Sequence, residues 1–357
     1  MSNQEHNRNN TAEPHTLPVR SHAGGPFSSA SSTFSELSEL NEARPRTNPE
    51  AVIAGVNFVM SGWHDGHWAD FNFRSGESDV WVTAYVLARL GEISSEYISF
   101  SKQQKIEDSL DWLTENRGCD GGWGWHSKSE SDADSTAWAV LALRRHRRSA
   151  PAEALEFIRH CRRLDGGIAG YPEDSSAGRT LRISAPDVTA VAVNALGEPD
   201  PAAVSFLSSC WLQTNKPLPP FRLLSRFYTC SEVMDWGTEK APWSLLNKVC
   251  ELMSFCDAEN TFEQALLLRC LTQLRIQKAW SVAASLRQAQ QADGGWPASA
   301  LLGPATKGHE GGLVYLDHKR IFTTVTAVLA LLAVGTQPGL YFGSDRPLPQ
   351  RLTLESF

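Results

Sequence analysis

The chain has 357 residues, 41% hydrophobic and 20% charged, enough for one large domain or two ordinary ones, and a composition that excludes a fibre or a wholly disordered chain. A formal net charge of −7 gives no overall attraction to phosphate backbones, so a general nucleic-acid role has no electrostatic support. The seven cysteines form no C-x-x-C pair and read as thiols of a reduced compartment, and the longest apolar stretch, Val325 to Val334, is too short to span a membrane. With no apolar signal core near its start, the chain is expected to be cytoplasmic, with peripheral contact to a membrane surface left open.

Residues 1–48 are rich in Ser, Asn, Glu, Pro and Thr, with few large apolar side chains to offset an ordering entropy of about 1–2 kcal/mol per residue, which predicts a disordered tail. From Pro49 the pattern changes to helical segments with apolar residues three and four apart, broken by Gly-rich turns, and no run of alternating strands appears. Residues 49–340 are read as a single helical domain and 341–357 as an extension.

Internal repeats decide the predicted fold. Asp79-Val-Trp81-Val-Thr83-Ala84 recurs as Asp132-Ala-Asp134-Ser-Thr136-Ala137 and as Asp187-Val-Thr189-Ala190, with the Thr-Ala pairs 53 residues apart, and a weaker copy carries Thr326-Ala327. Gly turns recur with them: Asp65-Gly-His-Trp68, Asp120-Gly-Gly-Trp123, Asp165-Gly-Gly-Ile168 and Asp293-Gly-Gly-Trp296. Each lies before one of the small-residue helices. Gly there supplies positive φ and Trp plugs the repeat interface.

Further helices are predicted over Ala152–Arg163, Asn247–Phe255 and Phe262–Leu274, with a loop at Pro217–Pro220. The segment from about 200 to 260 carries no recognisable repeat. The whole predicts an all-α fold, a single α/α toroid of about five to six helix pairs, with the Thr-Ala helices as its inner ring.

Gln291-Ala-Asp-Gly-Gly-Trp296 resembles the Gln-Trp repeat of squalene and oxidosqualene cyclases, and Asp120-Gly-Gly-Trp-Gly124 looks like a second copy without its Gln. Asp132-Ala-Asp134-Ser135-Thr-Ala is similar to the D-x-D-D-T-A signature of class II (proton-initiated) terpene cyclases, in the prenyltransferase and squalene-oxidase repeat superfamily. The resemblance covers roughly residues 50 to 335. It implies that Asp134 is the general acid that protonates an alkene or epoxide of a prenyl chain, with Asp132 as its partner. Ser135 stands where the family usually has a third Asp, which points away from squalene and towards the prenyl-diphosphate and meroterpenoid branches. Relatives usually place the cavity between two helical barrels and this chain has residues for one, so a homodimer or a second helical chain is left open.

The chemistry agrees with the resemblance. Protonating an isolated alkene needs a carboxyl group kept neutral, and an apolar pocket with a second carboxylate nearby keeps a proton on the pair. Aligning the repeats by Thr-Ala puts Trp81, Asp134, Asp187 and Thr324 at one depth. Neighbouring inner helices sit about 8–10 Å apart, so Asp187 joins Asp134 and Asp132 as a candidate catalytic carboxyl. The alternative for all three is helix capping.

A cation moving along a polyene is stabilised by aromatic faces, which makes Trp81, Trp125, Trp138, Tyr171 and Phe322 the candidate substrate-binding residues, against core packing as the alternative. No cofactor is expected, with magnesium admitted only alongside a diphosphate substrate.

Two rival functions are weighed. A prenyltransferase-like isoprenoid binder would hold zinc, but its pattern, laid on Asp257, places Glu259 at the Cys and Phe322 at the His, so no zinc is expected. A non-catalytic α/α repeat scaffold would have no reason to bury acids among aromatic rings. His64, His67, His126, His309 and His318 lack metal-ligand spacing, and Arg144–Arg148 reads as a solvated helix end.

Overall fold

Helices that are apolar all round belong inside, and helices with one apolar stripe belong outside. The computed structural model describes residues 49–73, 76–198, 200–214, 223–225, 227–237, 241–303 and 314–335, and it sorts its helices in this way. Residues 1–48, 341–357, the Pro217–Pro220 loop and His309 lie outside the described residues, all of which fall in one unit, Pro45–Phe357.

Twelve α-helices are described: α1 Pro49–Ser61, α2 Val80–Leu90, α3 Phe100–Glu115, α4 Ala133–Arg145, α5 Ala152–His160, α6 Pro186–Leu196, α7 Pro201–Thr214, α8 Tyr228–Met234, α9 Trp243–Phe255, α10 Thr261–Gln273, α11 Ala279–Gln288 and α12 Ile321–Gly335. Every residue of α2 is buried, as is every residue of α4 from Ala133 to Leu143. The outer α3 buries only Ile106, Ser109, Leu110 and Leu113, a stripe at helical spacing.

Even-numbered helices form the inner ring. α2 packs on α4, α4 on α6, α6 on α8, α8 on α10, α10 on α12, and α12 closes on α2. Around them α3 bridges α2 and α4, α5 bridges α4 and α6, α9 bridges α8 and α10, and α11 bridges α10 and α12. This is an α/α toroid of six helix pairs, the sixth completed by α7 and the short α8 in the segment without a sequence repeat. The two described sheets are two-stranded: β1 Asp70–Phe73 with β2 Gly76–Ser78, and β3 Leu301–Leu302 with β4 Tyr315–Leu316.

The Gly turns do what their composition implies. Gly66, Gly121, Gly166 and Gly294 all have φ between +86° and +88°. In three of them the Asp of Asp-Gly-Gly accepts from the second Gly amide, at 3.1 Å for Asp120, 2.9 Å for Asp165 and 3.1 Å for Asp293. The following residue then donates its amide to a threonine of the next inner helix: Trp68 to Thr83 (2.9 Å), Trp123 to Thr136 (2.9 Å), Ile168 to Thr189 (2.8 Å) and Trp296 to Thr324 (3.1 Å).

That last bond corrects the sequence register. Thr324, not Thr326, is the counterpart of Thr83, Thr136 and Thr189, because the turn selects a threonine hydroxyl by position and ignores the Ala that follows it. The indoles finish each repeat, with Nε1 of Trp68, Trp123 and Trp296 donating to the carbonyls of Val59, Leu113 and Leu286 on the preceding outer helix.

A Cβ at Gly294 would lie 2.5 Å from the backbone oxygen of Ala54 in α1. Gly294→Ala therefore combines a left-handed φ with a clash against backbone, and a loss of more than about 1 kcal/mol is expected in denaturant unfolding. A variant as stable as wild type would show that α1 gives way there.

Candidate active site

In five of the six inner helices the helix start sets the depth of the inner side chains; α8 starts deeper, with Tyr228 at the level of Trp138. With N-caps at Asp79, Asp132, Ala185 and Asn260, the second helical position holds Trp81, Asp134, Asp187 and Phe262. In α12, which begins at Ile321, it holds Phe322, so the corrected register replaces Thr324 by Phe322 at this depth. The first layer of the lumen is thus two carboxyls on adjacent helices and three aromatic rings. Asp134 is 5% exposed, Asp187 3%, Trp81 3%, Phe262 1% and Phe322 0%.

The rings form one cluster. Trp81 lies against Phe322 at 4.9 Å and 27°, Phe262 meets Phe322 at 5.6 Å, and Phe71 touches both Trp81 (5.5 Å) and Phe322 (5.3 Å). Phe71 reaches them from a β-bulge with φ of +54°, a conformation costly for a bulky residue and held here by the Asp70 carboxylate, which accepts its amide at 3.0 Å. The Trp81 Nε1 is buried with no hydrogen-bond partner among the described residues.

Asp132 and Asp134 have different environments. Asp132, wholly buried, is the N-cap of α4: one oxygen accepts from the Ser135 amide (2.9 Å) and the other from the Ser135 hydroxyl (2.8 Å). Ser135, at the place of the family's third Asp, thus holds Asp132 in position. Asp187 accepts from the adjacent Val188 amide at 2.9 Å.

Of the remaining sequence candidates, Trp138 lies one turn below Asp134. Trp125 is half-buried at the helix N-terminal end, packed edge-on against Phe73 at 4.7 Å, and its carbonyl accepts from Ser78 Oγ at 2.8 Å. Tyr171 is buried in the loop before α6, its carbonyl held by Arg163 at 2.5 Å. Sequence reasoning missed Phe262, although Asn260 is a good N-cap residue and its cap fixes Phe262 at the depth of Trp81.

One and two turns below the first layer the lumen is filled. Tyr85 stacks on Phe322 at 3.8 Å, bonds Thr326 at 2.7 Å and meets Trp138 edge-on at 4.7 Å. Trp138 Nε1 donates to the Tyr228 hydroxyl at 3.1 Å. Burial first and the Asp134 charge second push the Tyr228 hydroxyl well above its usual range.

Beneath these lies a charge network the sequence did not disclose. Arg89 pairs with Glu232 at 2.5 Å, with Glu92 at 3.1 Å and with Asp235 at 3.3 Å, Arg269 joins Asp235 at 2.9 Å, and Arg145 joins Glu92 at 2.6 Å. Arg145 and Arg148, the latter paired with Asp111 and Glu107, correct the expectation of a solvated Arg144–Arg148 run: only Arg144 and Arg147 are exposed.

At the N-terminus of α12 two buried carboxyls hold amides in place of a cap. Asp70 accepts from Lys319 (2.9 Å) and Ile321 (3.0 Å), and Asp317 from Ser299 (2.8 Å), Ala300 (3.0 Å) and Thr323 (2.9 Å). Burial, then the Asp70 charge, pushes the Asp317 carboxyl up to about 7. An acid whose pKa rises on folding stabilises the folded state fully below its unfolded pKa and loses that contribution as pH rises through the folded value. The wild-type melting temperature is thus expected to fall between about pH 4 and 7, and Asp317→Asn, less stable for want of a cap acceptor, to show a flatter profile. Parallel profiles would exclude Asp317 as the titrating group.

Among the described residues, no group of three or more His, Cys, Asp or Glu is gathered to hold a metal ion, and no helix is long and apolar enough to cross a membrane. No family model matches the sequence, and no curated protein matches it. Similarity appears in solved structures. The apo type II terpene cyclase MstE from Scytonema superposes with a TM-score of 0.68 at 22% identity, over 82% of this chain and 99% of that one.

The chain has a class II terpene cyclase-like fold.

A protein from Actinoplanes matches equally well, at TM-score 0.70 and 21% identity over 80% of this chain and 99% of that one. MstE variants are solved in complex with geranylgeranyl dihydroxybenzoate as substrate and with merosterolic acid A as product. A heparin-specific unsaturated glucuronyl hydrolase also shares the cyclase-like toroid more distantly, at TM-score 0.50 and 7% identity over 80% of this chain and 95% of that one. The fold is therefore compatible with unrelated chemistries, and function has to be argued from the side chains.

Proposed function

We propose that residues 49–340 form a class II terpene cyclase domain, an intramolecular isomerase, in which Asp134 protonates an alkene or epoxide of a prenyl chain. The observation that carries this reading is the first layer of the lumen, where Asp134 and Asp187, both buried, stand at the same helical position as the buried Trp81, Phe262 and Phe322. A binding scaffold gains nothing from placing two carboxyls there, since taking a carboxylate out of water carries a desolvation cost that its partners must offset. A proton donor facing a developing carbocation requires such surroundings: no water to quench the cation, and ring faces to stabilise it.

For an alkene, the step balances simply. The Asp134 O–H bond breaks, its proton forms a C–H bond at the less substituted alkene carbon, and the tertiary cation left behind is attacked by the π pair of the next double bond, closing a ring. Loss of a proton at the end regenerates neutrality, so product and substrate are isomers. No redox cofactor enters this balance, and magnesium would be needed only to bind a diphosphate head group.

Asp132, fixed by Ser135, holds the start of α4 and so the direction of Asp134. MstE supports a single-barrel site, because a chain that this one covers over 99% of its length is solved with a prenylated aromatic substrate. The reading favours a prenylated aromatic acid or a prenyl diphosphate over squalene, a cytoplasmic setting for the seven thiols, and no need of a second barrel. The test is incubation of the purified protein with prenyl substrates of graded chain length, bearing diphosphate or aromatic heads. Products of unchanged mass with fewer double bonds are expected, and no conversion across the panel would overturn the reading.

A further inference from the structure

Ring order makes two of the buried contacts unusual. α4 and α8 are second neighbours around the inner ring, separated by α6, and α2 and α8 are third neighbours, on opposite sides of it. The Trp138–Tyr228 hydrogen bond (3.1 Å) and the Arg89–Glu232 ion pair (2.5 Å) therefore cross the lumen instead of joining adjacent walls. Trp138 is four residues beyond Asp134, and Arg89 eight beyond Trp81, so the crossings lie about 6 Å and about 12 Å below the acid at 1.5 Å per residue.

Both crossings are sealed. Trp138 is 0% exposed and Tyr228 2%, and the side chains of Arg89 and Glu232 have no exposure at all. The Arg89 guanidinium also lies over the rings of Tyr85 and Trp138, at 4.9 and 4.6 Å, which ties the lower crossing to the upper one. A ligand cannot enter from the helix C-terminal end. Among the described residues, the end left for a route to Asp134 is the N-terminal one, where strands and loops carry Phe73, Trp125 and Tyr315.

Taking the cyclase reading as given, we propose that the Trp138–Tyr228 pair is a stop that ends the lumen one helical turn beneath Asp134. A prenyl chain then enters tail first and is halted with its terminal double bond, not an internal one, beside the acid. One turn of depth is close to the length of one five-carbon prenyl unit. Removing the stop lets the chain slide down by that unit, so the next double bond inward meets Asp134 and the product has one ring fewer, with an uncyclised terminal unit.

Trp138 and Tyr228 are positioning residues in this scheme, and regiochemistry is the readout that a merely structural role would not move. The experiment compares wild type with Tyr228→Leu, Tyr228→Ala and Tyr228→Phe, using a geranylgeranyl substrate and an analogue whose terminal double bond is saturated. Wild type is expected to cyclise the first and leave the second untouched. Tyr228→Leu and Tyr228→Ala should convert both, to products lacking one ring, while Tyr228→Phe, which keeps the ring, retains the wild-type product as its main one.

Wild-type turnover of the saturated analogue would overturn the stop, a result available even where the smaller variants fail to fold. So would an unchanged product from a folded Tyr228→Leu. If wild type cyclises no prenyl substrate at all, the function itself is overturned and the stop falls with it. These outcomes separate the two readings.

Discussion

Asp134→Asn is expected to lose at least about 10²-fold in turnover while melting within a degree or two of wild type. The substitution deletes the transferable proton and keeps nearly the shape of Asp, and Asp134 is not the cap of α4. That task belongs to Asp132, whose two oxygens accept from Ser135. Asp132→Asn keeps one acceptor for the Ser135 amide but sets an N–H₂ group against the Ser135 hydroxyl, so a partial loss of rate is expected with some loss of stability. Asp187 occupies the same helical position on the adjacent inner helix, and Asp187→Asn should displace the pH–rate profile if the two carboxyls titrate together. The measurement is turnover on any substrate the wild type cyclises, alongside thermal melts. Full activity in a folded Asp134→Asn protein would remove Asp134 from the mechanism and leave a likeness of fold only.

Arg89→Met is expected to be among the most destabilising single changes outside the core apolar residues. Removing one partner of a fully buried ion pair costs about 3–5 kcal/mol, because the other charge is left without compensation. Here that charge is Glu232, with Asp235 still served by Arg269 at 2.9 Å. The melting temperature should fall by roughly 10 °C.

The sign of its pH dependence follows from the same contacts. Burial already raises the Glu232 pKa against the opposing Arg89 charge, so without Arg89 it rises further. A carboxyl with a raised folded pKa loses its stabilising contribution as pH rises, and the deficit of Arg89→Met relative to wild type should therefore widen in alkaline buffer and narrow in acid. Adding Glu232→Gln should recover part of the loss, since a neutral amide is cheaper to bury than a lone carboxylate. A double variant less stable than Arg89→Met would mean that Glu232 is held by Asp235's partners as well.

The legible parts of the site have local causes. A carboxyl at the start of a helix is written in a few consecutive residues, and Asp132-Ala-Asp134-Ser135 discloses both the cap and the proposed proton donor. Phe262 was within reach too, because its cap, Asn260, lies two residues before it. Tyr228 was not, since the α8 sector has neither a Gly-Trp turn nor a Thr-Ala pair to align it.

By itself the sequence determined the paired-helix repeat, the inner place of the Thr-Ala helices, and the position of Asp134 at the start of one of them. Each of these follows from short-range spacing: small residues and all-round apolar faces for the inner helices, one apolar stripe for the outer ones, and turn glycines that fix the repeat. Tertiary structure alone decided what the acid faces and where the lumen ends. Arg89 meets Glu232 across 143 residues and Trp138 meets Tyr228 across 90, and no local pattern specifies which of six inner helices will stand opposite another. Only closure of the ring, α12 against α2, brings those side chains into one space, and with them the floor beneath Asp134.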